Sequence, residues 1–413
     1  MRPGAFSALA ATQQNPNWEA LIRRQSPLYV RQDEVRNEFE RDYTRILHSL
    51  AYRRLKHKTQ VFYNIENDHI CTRMEHVQHV DSVSSTIGKY LGLNVDLIHA
   101  IAMAHDLGHA PFGHEGEAVI QKLTRKYLGK NFWHEKNGLY FIDKIELLED
   151  DNRCRRNLNL TYAVRDGVIS HCGEVDENGI VPRAELFDLD TFGTSGEYQP
   201  ATWEGCVVKI ADKIAYLGRD IEDAYRLHFM DWEQLLTLKG FAQRYGMKTI
   251  NTTALMHRFI LDICKNSSPQ AGIAMSEECR QMLDVIKEFN YQAIYHNKKF
   301  VPFQHYVQLI LSELFQVCLD AYDGENTLHE LRLRNKVYPS LMNEFSSWLA
   351  AYCTFDYQGP AFKWAAKIGR KSKNEKIYGR LQTRELYIQA ILDYLSGMTD
   401  RYAIELFQEL IRY

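Results

Sequence analysis

The chain is poor in residues that interrupt helices, with 10 Pro and 23 Gly in 413 positions. Its eight Cys, at 71, 154, 172, 206, 264, 279, 318 and 353, include no Cys-x-x-Cys pair. A chain of this length does not need cross-links, so the scatter reads as reduced core thiols in a cytoplasmic protein. No run approaches 18 uninterrupted apolar residues, which excludes a membrane-spanning helix as an expectation. The longest candidate, Leu97 to Ala104, is short and is interrupted by His99. The first residues, MRPGAFSALAATQQNPNWEAL, lack the apolar stretch of a signal peptide. Charge of one sign is missing too. Lys plus Arg number 50 against 53 Asp plus Glu, a net charge of −3. That argues against a general electrostatic grip on nucleic acid or an acidic membrane, and leaves room only for a local basic pocket.

What is present is ample core material: 45% hydrophobic and 12% aromatic residues, with 25% charged. Disorder is therefore excluded as a description of the whole. Length alone suggests two or three domains at about 150 residues each. The dominant periodicity is helical. Val35, Phe39, Tyr43, Ile46 and Leu47 recur at three-to-four spacing within Gln32 to His48, and Val77 to Leu91 continues in the same way. Leu97 to Ala104, apolar except for His99, predicts a helix buried on all sides. Glu115 to Leu128, Trp203 to Leu227, Val307 to Tyr322 and Glu385 to Tyr413 also predict helices, whereas Thr59 to Ile65 alone suggests a brief strand. The fold class is all-α.

Two polar stretches read as long loops, Gly173 to Ala201 and Tyr357 to Arg380; the second contains the basic run Arg370, Lys371, Lys373 and Lys376. No repeat and no composition shift divides the chain. The expectation is one helical unit over all 413 residues, with its core at about 50–260 and a C-terminal helical part at about 261–413.

Histidine is the informative residue. Six of the 16 fall within 39 positions, at 76, 79, 99, 105, 109 and 114, and His134 follows. A lone core His is usually structural; this density is not explained that way. The string HDLGHAPFGHEGE at 105–117 begins where the apolar helix meets Gly108 and Pro111. A tight turn between two helices can bring His105, Asp106, His109, His114 and Glu117 to one cavity. Imidazole and carboxylate together suit a divalent ion. On a regular helix adjacent His105 and Asp106 would diverge by about 100°, so sharing an ion requires the helix end. Further ligands must come from elsewhere, with His76 and a buried acid such as Asp212 as candidates. Asp212, Tyr216 and Asp220 follow at four-residue steps along one apolar helix face. Helix pattern alone favours a salt bridge as the partner of Asp212.

His76, His105-Asp106 and Asp212 form the H…HD…D pattern of the HD superfamily of metal-dependent phosphohydrolases. The surrounding words sharpen it. RRLKHKTQVF (53–62), TRMEH (72–76), HDLGHAPFGHEGE (105–117), NLTYAVRDGVISH (159–171), ADKIAY…D (211–220) and GMTDRYA (397–403) occur in that order. Together they resemble the dGTPase-like deoxynucleoside triphosphate triphosphohydrolases, from about residue 20 to the C-terminus. The resemblance implies an HD-domain helical fold with additional peripheral helices. It implies that His76, His105, Asp106 and Asp212 bind a divalent metal ion, Mn, Mg or another transition metal. The family reaction splits a dNTP between the 5′-oxygen and the α-phosphorus, giving a deoxynucleoside and inorganic triphosphate.

By the same resemblance His114 and Glu117 match a catalytic His-x-x-Glu pair, His134 a second catalytic His, and His109 a phosphate-facing His. Arg73 and Lys213 match phosphate ligands, Gln60 a contact to the sugar 3′-OH, and Tyr216 and Asp220 residues around the deoxyribose. A Tyr under C2′ would exclude ribonucleotides. Glu135 departs from the pattern, since many bacterial relatives carry Asn there. His79, His99 and His171 match no role, although His171 closes a family-like helix. Expected partners are dGTP or several dNTPs, a nucleotide or single-stranded DNA effector, and further copies of the chain, with a hexamer favoured. The rival readings are an HD phosphodiesterase on another nucleotide and a nucleotide sensor without turnover. No Gly-Tyr-Pro element follows Asp106, as it does in HD enzymes acting on cyclic di-GMP. Retention of every ligand and of His114 and Glu117 weighs against the sensor.

Overall fold

In the computed structural model of the chain, the residues described are 3–28, 33–62, 67, 69–172, 178–355 and 362–412. The chain forms two compact units, each assembled from three separate segments. The first comprises Met1–Leu47, Gln60–Asp106 and Asn159–Pro302; the second comprises His48–Thr59, Leu107–Leu158 and Phe303–Tyr413. The boundary falls immediately after Asp106. Apart from one short hairpin, the regular structure described is helical, in agreement with the all-α expectation. No helix among the described residues is long and apolar enough to cross a membrane.

The first unit is built around Val95–Ala104, which packs against Arg73–Leu91, Tyr162–Ser170 and Trp203–Ala215. Leu97, Ile98, Ala100, Ile101 and Ala102 are wholly buried, each large aliphatic side chain contributing roughly 1.5–3 kcal/mol. The approach to Tyr162–Ser170 depends on Gly167. A β-carbon there would lie 2.6 Å from two atoms of Ile101, an overlap the core could not absorb. The helix starts are written in the sequence. Asn94 Oδ1 accepts the Asp96 and Leu97 amides, Thr202 Oγ1 accepts that of Gly205, and Glu75 reaches back to the Thr72 amide.

Buried carboxylates hold other chain reversals of this unit. Asp42 accepts the Thr161 amide at 2.8 Å and pairs with Arg24 at 2.5 Å. Asp166 accepts the Ala201 amide at 2.7 Å and pairs with Arg183. Glu204 Oε1 accepts the amides of Ala11 and Asn94, both at 2.9 Å.

The second unit packs Gly113–Leu128 against Arg384–Ser396, and Pro339–Tyr352 against Thr327–Arg334 and Lys363–Lys371. His134–Tyr140 runs into a wider π turn at Phe141–Ile145. Its hairpin pairs Leu147–Glu149 with Arg155–Asn157 in antiparallel register, Leu148 opposite Arg156. An aromatic cluster of Phe345, Trp348, Tyr352, Tyr378 and Tyr394 fills the core around the Pro339–Tyr352 helix.

The structure differs from several helix and loop expectations. The expected loop 357–380 contains the helix Lys363–Lys371, seated through Ala365 against Leu328 and Ala350; its dense positive charge hid an apolar stripe of only three residues. Residues 357–361, like 173–177 of the other expected loop, lie outside the described residues. Of the expected strand, 63–65 also lie outside them, and within Thr59–Phe62 Thr59 alone makes an isolated bridge. The Trp203–Leu227 helix is interrupted at Tyr216, and the C-terminal helix restarts at Asp400, where Thr399 caps the Tyr402 amide.

Asp393, buried in the second unit, accepts the Tyr378 hydroxyl at 2.6 Å. Burial pushes its carboxyl up to about 6, against the lowering effect of that bond. An unfolded aspartate titrates near 4. Between about pH 4 and 6 the folded state therefore keeps a proton that the unfolded chain has released. Stability contributed by this group falls as pH rises through that window, by about 3 kcal/mol. Asp393→Asn is expected to flatten that part of the pH dependence, as measured by urea melts between pH 4 and 7.

Candidate active site

The first unit brings together the four residues of the H…HD…D pattern. His76 stands in the first turn of Arg73–Leu91, whose start Glu75 fixes. His105 directly follows Val95–Ala104, its amide still bonded to the Ile101 carbonyl at 2.9 Å. Asp212 lies in the last turn of Trp203–Ala215. His76 Nε2 is 3.0 Å from Asp212 Oδ1. His105 Nε2 is 3.8 Å from both Asp212 Oδ1 and Asp106 Oδ1. The helix end thus lets His105 and Asp106 face one point, as their adjacency requires.

These atoms fit a divalent ion. The Nδ1–H of His105 donates to the Ala102 carbonyl at 2.7 Å, leaving the lone pair on Nε2. That Nε2 is buried without a hydrogen-bond partner among the described residues. The potential ligand atoms of His76, His105 and Asp212 lie within 4.8 Å of one another. Burial acts to raise the Asp212 carboxyl, but the His76 hydrogen bond and the nearby His105 hold it well below the usual carboxylate range. Burial acts to lower the His76 imidazole, and Asp212 outweighs it to raise it.

Arg73, 2% exposed, bonds Asp106 Oδ2 through Nη1 at 2.7 Å, an ion pair not foreseen from the sequence. Its Nε and Nη2 are buried with no hydrogen-bond partner among the described residues. A guanidinium so placed is incomplete without a further acceptor. Asp220 is also buried, and accepts the Tyr295 hydroxyl at 2.5 Å. Burial pushes its carboxyl up to about 7, with Tyr295 opposing. Burial and the Asp212 carboxylate push the Tyr216 phenol up, so it stays protonated. Tyr216 and Lys213 are half-buried on the same helical run. Gln60 is half-buried, with its Oε1 lacking a hydrogen-bond partner among the described residues.

The second unit gathers His109, His114, Glu117 and His134. Gly108 permits this. A β-carbon there would lie 2.1 Å from the Gly138 nitrogen and 2.2 Å from the His134 carbonyl oxygen. Asn137 adds a hydrogen bond to the Gly108 carbonyl at 2.7 Å. The His109 ring consequently lies 3.8 Å from that of His134, centre to centre, and 5.9 Å from that of His114.

Glu117 was expected beside His114. Its Oε2 is 3.9 Å from His114 Nδ1, too long for a hydrogen bond, and 3.2 Å from His134 Nδ1. The cause is backbone demand: Glu117 Oε1 accepts the His134 amide at 2.9 Å, capping the start of that helix. His114 is mostly exposed. Burial acts to raise Glu117, but His134 outweighs it and lowers the carboxyl. Glu135, the departure from the family pattern, is buried with Oε2 at 3.5 Å from His134 Nδ1, so this imidazole has two carboxylates.

Two supports were missed, although both stand in the motif words. Lys58 donates to the carbonyls of His109 and Ser396. Asp400 accepts the Phe112 amide at 2.7 Å through Oδ1 and the Thr59 amide at 3.0 Å through Oδ2. The words at 53–62, 105–117 and 397–403 therefore belong to one hydrogen-bonded arrangement. Their spacing gave no sign of it, because no local pattern links residues so far apart. His99 instead bonds Asp81 at 2.5 Å, and His79 approaches Arg219 at 3.4 Å. Asp400→Ala removes the acceptor of two amides and is expected to cost about 2–5 kcal/mol in a denaturant titration.

An HD domain model matches residues 73–217. A deoxyguanosinetriphosphate triphosphohydrolase-like protein of Caldanaerobacter subterraneus subsp. tengcongensis is 32% identical over 381 residues, covering 91% of this chain and 86% of the relative. Its counterpart in Rickettsia canadensis is 31% identical over 395 residues, covering 91% and 93%. A third, from Desulfatibacillum aliphaticivorans, is 34% identical over 295 residues, covering 70% and 76%.

Proposed function

The chain belongs to the deoxyguanosinetriphosphate triphosphohydrolase-like family of HD-domain, metal-dependent phosphohydrolases, and from that premise we propose that it hydrolyses dGTP or several dNTPs to a deoxynucleoside and inorganic triphosphate. The observation that carries the reading is the donor set of buried His76, His105 and Asp106 with half-buried Asp212, and with Arg73 bonded to one of its carboxylates. Two nitrogens of that guanidinium have no hydrogen-bond partner among the described residues. A cation and an anionic group together complete both.

His76, His105, Asp106 and Asp212 would hold the ion, which when bound supplies charge neutralisation at the α-phosphate and an activated water. Arg73 and Lys213 bind phosphate oxygens; Gln60 and Asp220 orient the sugar. Tyr216, neutral and half-buried, packs where a ribose 2′-OH would have to fit. The leaving 5′-oxygen needs a proton at neutral pH, and an imidazole supplies it. His114 is the donor in this reading. His109 faces the phosphates, and His134, flanked by Glu117 and Glu135, is a second catalytic imidazole. The chain works in the cytoplasm as a homo-oligomer, a hexamer by analogy with the family.

The test is product identity. Each dNTP and NTP is incubated with the purified chain and Mn or Mg, and products are separated by chromatography. Inorganic triphosphate as the first product, from deoxynucleotides only, is expected; pyrophosphate or orthophosphate sinks the reading. His114→Ala is expected to abolish turnover while retaining bound metal.

A nucleotide or single-stranded DNA effector binds at the basic surface around Lys371. It is supported by a surface cavity of about 540 Å³ lined by Arg155, Trp364, Lys367 and Lys371. Reversing charge at Lys371 and Lys373 is expected to abolish activation by added nucleotide in rate assays, and intact activation rejects this placement.

A further inference from the structure

His105 and His171 are built alike. His105 directly follows the Val95–Ala104 helix, and His171 directly follows the Tyr162–Ser170 helix. Both have right-handed helical backbone, at φ −55°, ψ −38° and φ −67°, ψ −33°. Each turns Nδ1 back to the carbonyl three residues earlier in its own helix, Ala102 or Val168, at 2.7 Å. A carbonyl accepts only, so in both rings Nδ1 carries the proton and Nε2 the lone pair. Both imidazoles are buried. The two helices pack closely where Gly167 meets Ile101, and the rings stand 5.0 Å apart at 72°.

The potential ligand atoms of His105, Asp106 and His171 lie within 4.8 Å of one another. Imidazole nitrogens and a carboxylate oxygen are donor types that a divalent transition ion takes. Ligands on opposite sides of one ion with bonds of about 2.1 Å stand about 4.2 Å apart, within that limit. The hydrogen bond from Nδ1 to a backbone carbonyl is the arrangement that fixes the ring and strengthens Nε2 as a ligand. His105 has it, and so does His171.

We propose that His171 is a further ligand of the divalent ion, giving Nε2 alongside His105 and Asp106. The inference rests on the reading of His76, His105, Asp106 and Asp212 as metal ligands and adds a third imidazole to the two in that set. It also gives a role to the His that ends the word NLTYAVRDGVISH.

The test uses the full chain loaded with Mn(II). Binding is followed by electron paramagnetic resonance, and coordinated imidazoles are counted by pulsed methods on protein carrying ¹⁵N-histidine. Three imidazoles in the wild type, two in His171→Gln, and a dissociation constant raised at least about tenfold in the variant support the proposal. Two in the wild type, or the same count and affinity in both, overturn it. Circular dichroism checks the variant's fold; where it fails, the wild-type count alone decides, three supporting and two overturning. Asp212→Ala separates the underlying reading. Should the wild type bind no Mn, or Asp212→Ala bind it as tightly as the wild type, the metal reading fails and this proposal falls with it. Should Asp212→Ala lose the ion while His171→Gln keeps its count and affinity, only the proposal fails.

Discussion

A charge taken out of water must meet a partner, and this molecule is organised by that requirement. Asp42, Asp166 and Glu204 in the first unit, and Glu146 and Asp400 in the second, are all buried acids. Each accepts a backbone amide from a distant part of the chain: Thr161, Ala201, Ala11 and Asn94, Ala51, and Phe112 with Thr59. A carboxylate with two oxygens satisfies an amide and a cation, or two amides, so one residue fixes two segments. Apolar packing supplies most of the stability, but it is non-directional. The carboxylates choose which segment lies against which.

The candidate site follows the same rule with its partners incomplete. His105 Nε2 and two nitrogens of Arg73 are buried without hydrogen-bond partners among the described residues, although their neighbours are carboxylates and imidazoles. The missing partners have opposite charges, a cation for the nitrogen and oxygen lone pairs and an anion for the guanidinium. A metal with a phosphate ester meets both needs, which is why chemistry and packing point to the same place.

Much of this was legible in the sequence. The density of His between residues 76 and 114 pointed to the candidate site, and period and turn residues located helices such as Val95–Ala104 and Gly113–Leu128. Three kinds of feature were not legible. The helix Lys363–Lys371 carries four cations in nine residues and binds the core by a narrow stripe, so charge masked its period. The preference of Glu117 for His134 over His114 is set by the helix-starting amide at position 134, which i,i+3 spacing does not reveal. The Arg73–Asp106 pair joins two helices, and nothing within either segment predicts it. Local periodicity reports which face a residue occupies, and tertiary partners decide what it does there.

The bond between Asp400 and the Phe112 amide spans 288 positions, and that to Thr59 spans 341. Asp400 leaves the ribosome long after Thr59 and Phe112. Until it emerges, the Phe112 amide has no such acceptor, and the turn that carries His109 lacks one of its two braces. The other, Lys58, needs Ser396 from the same late stretch. The imidazole-bearing turn is therefore finished only once residues 396 and 400 have been made. A nascent or truncated chain carries every motif word up to residue 220 and still lacks the braces that order this turn. Long-range closure of this kind slows folding, and here it ties the completion of the turn to segments made far later in the chain.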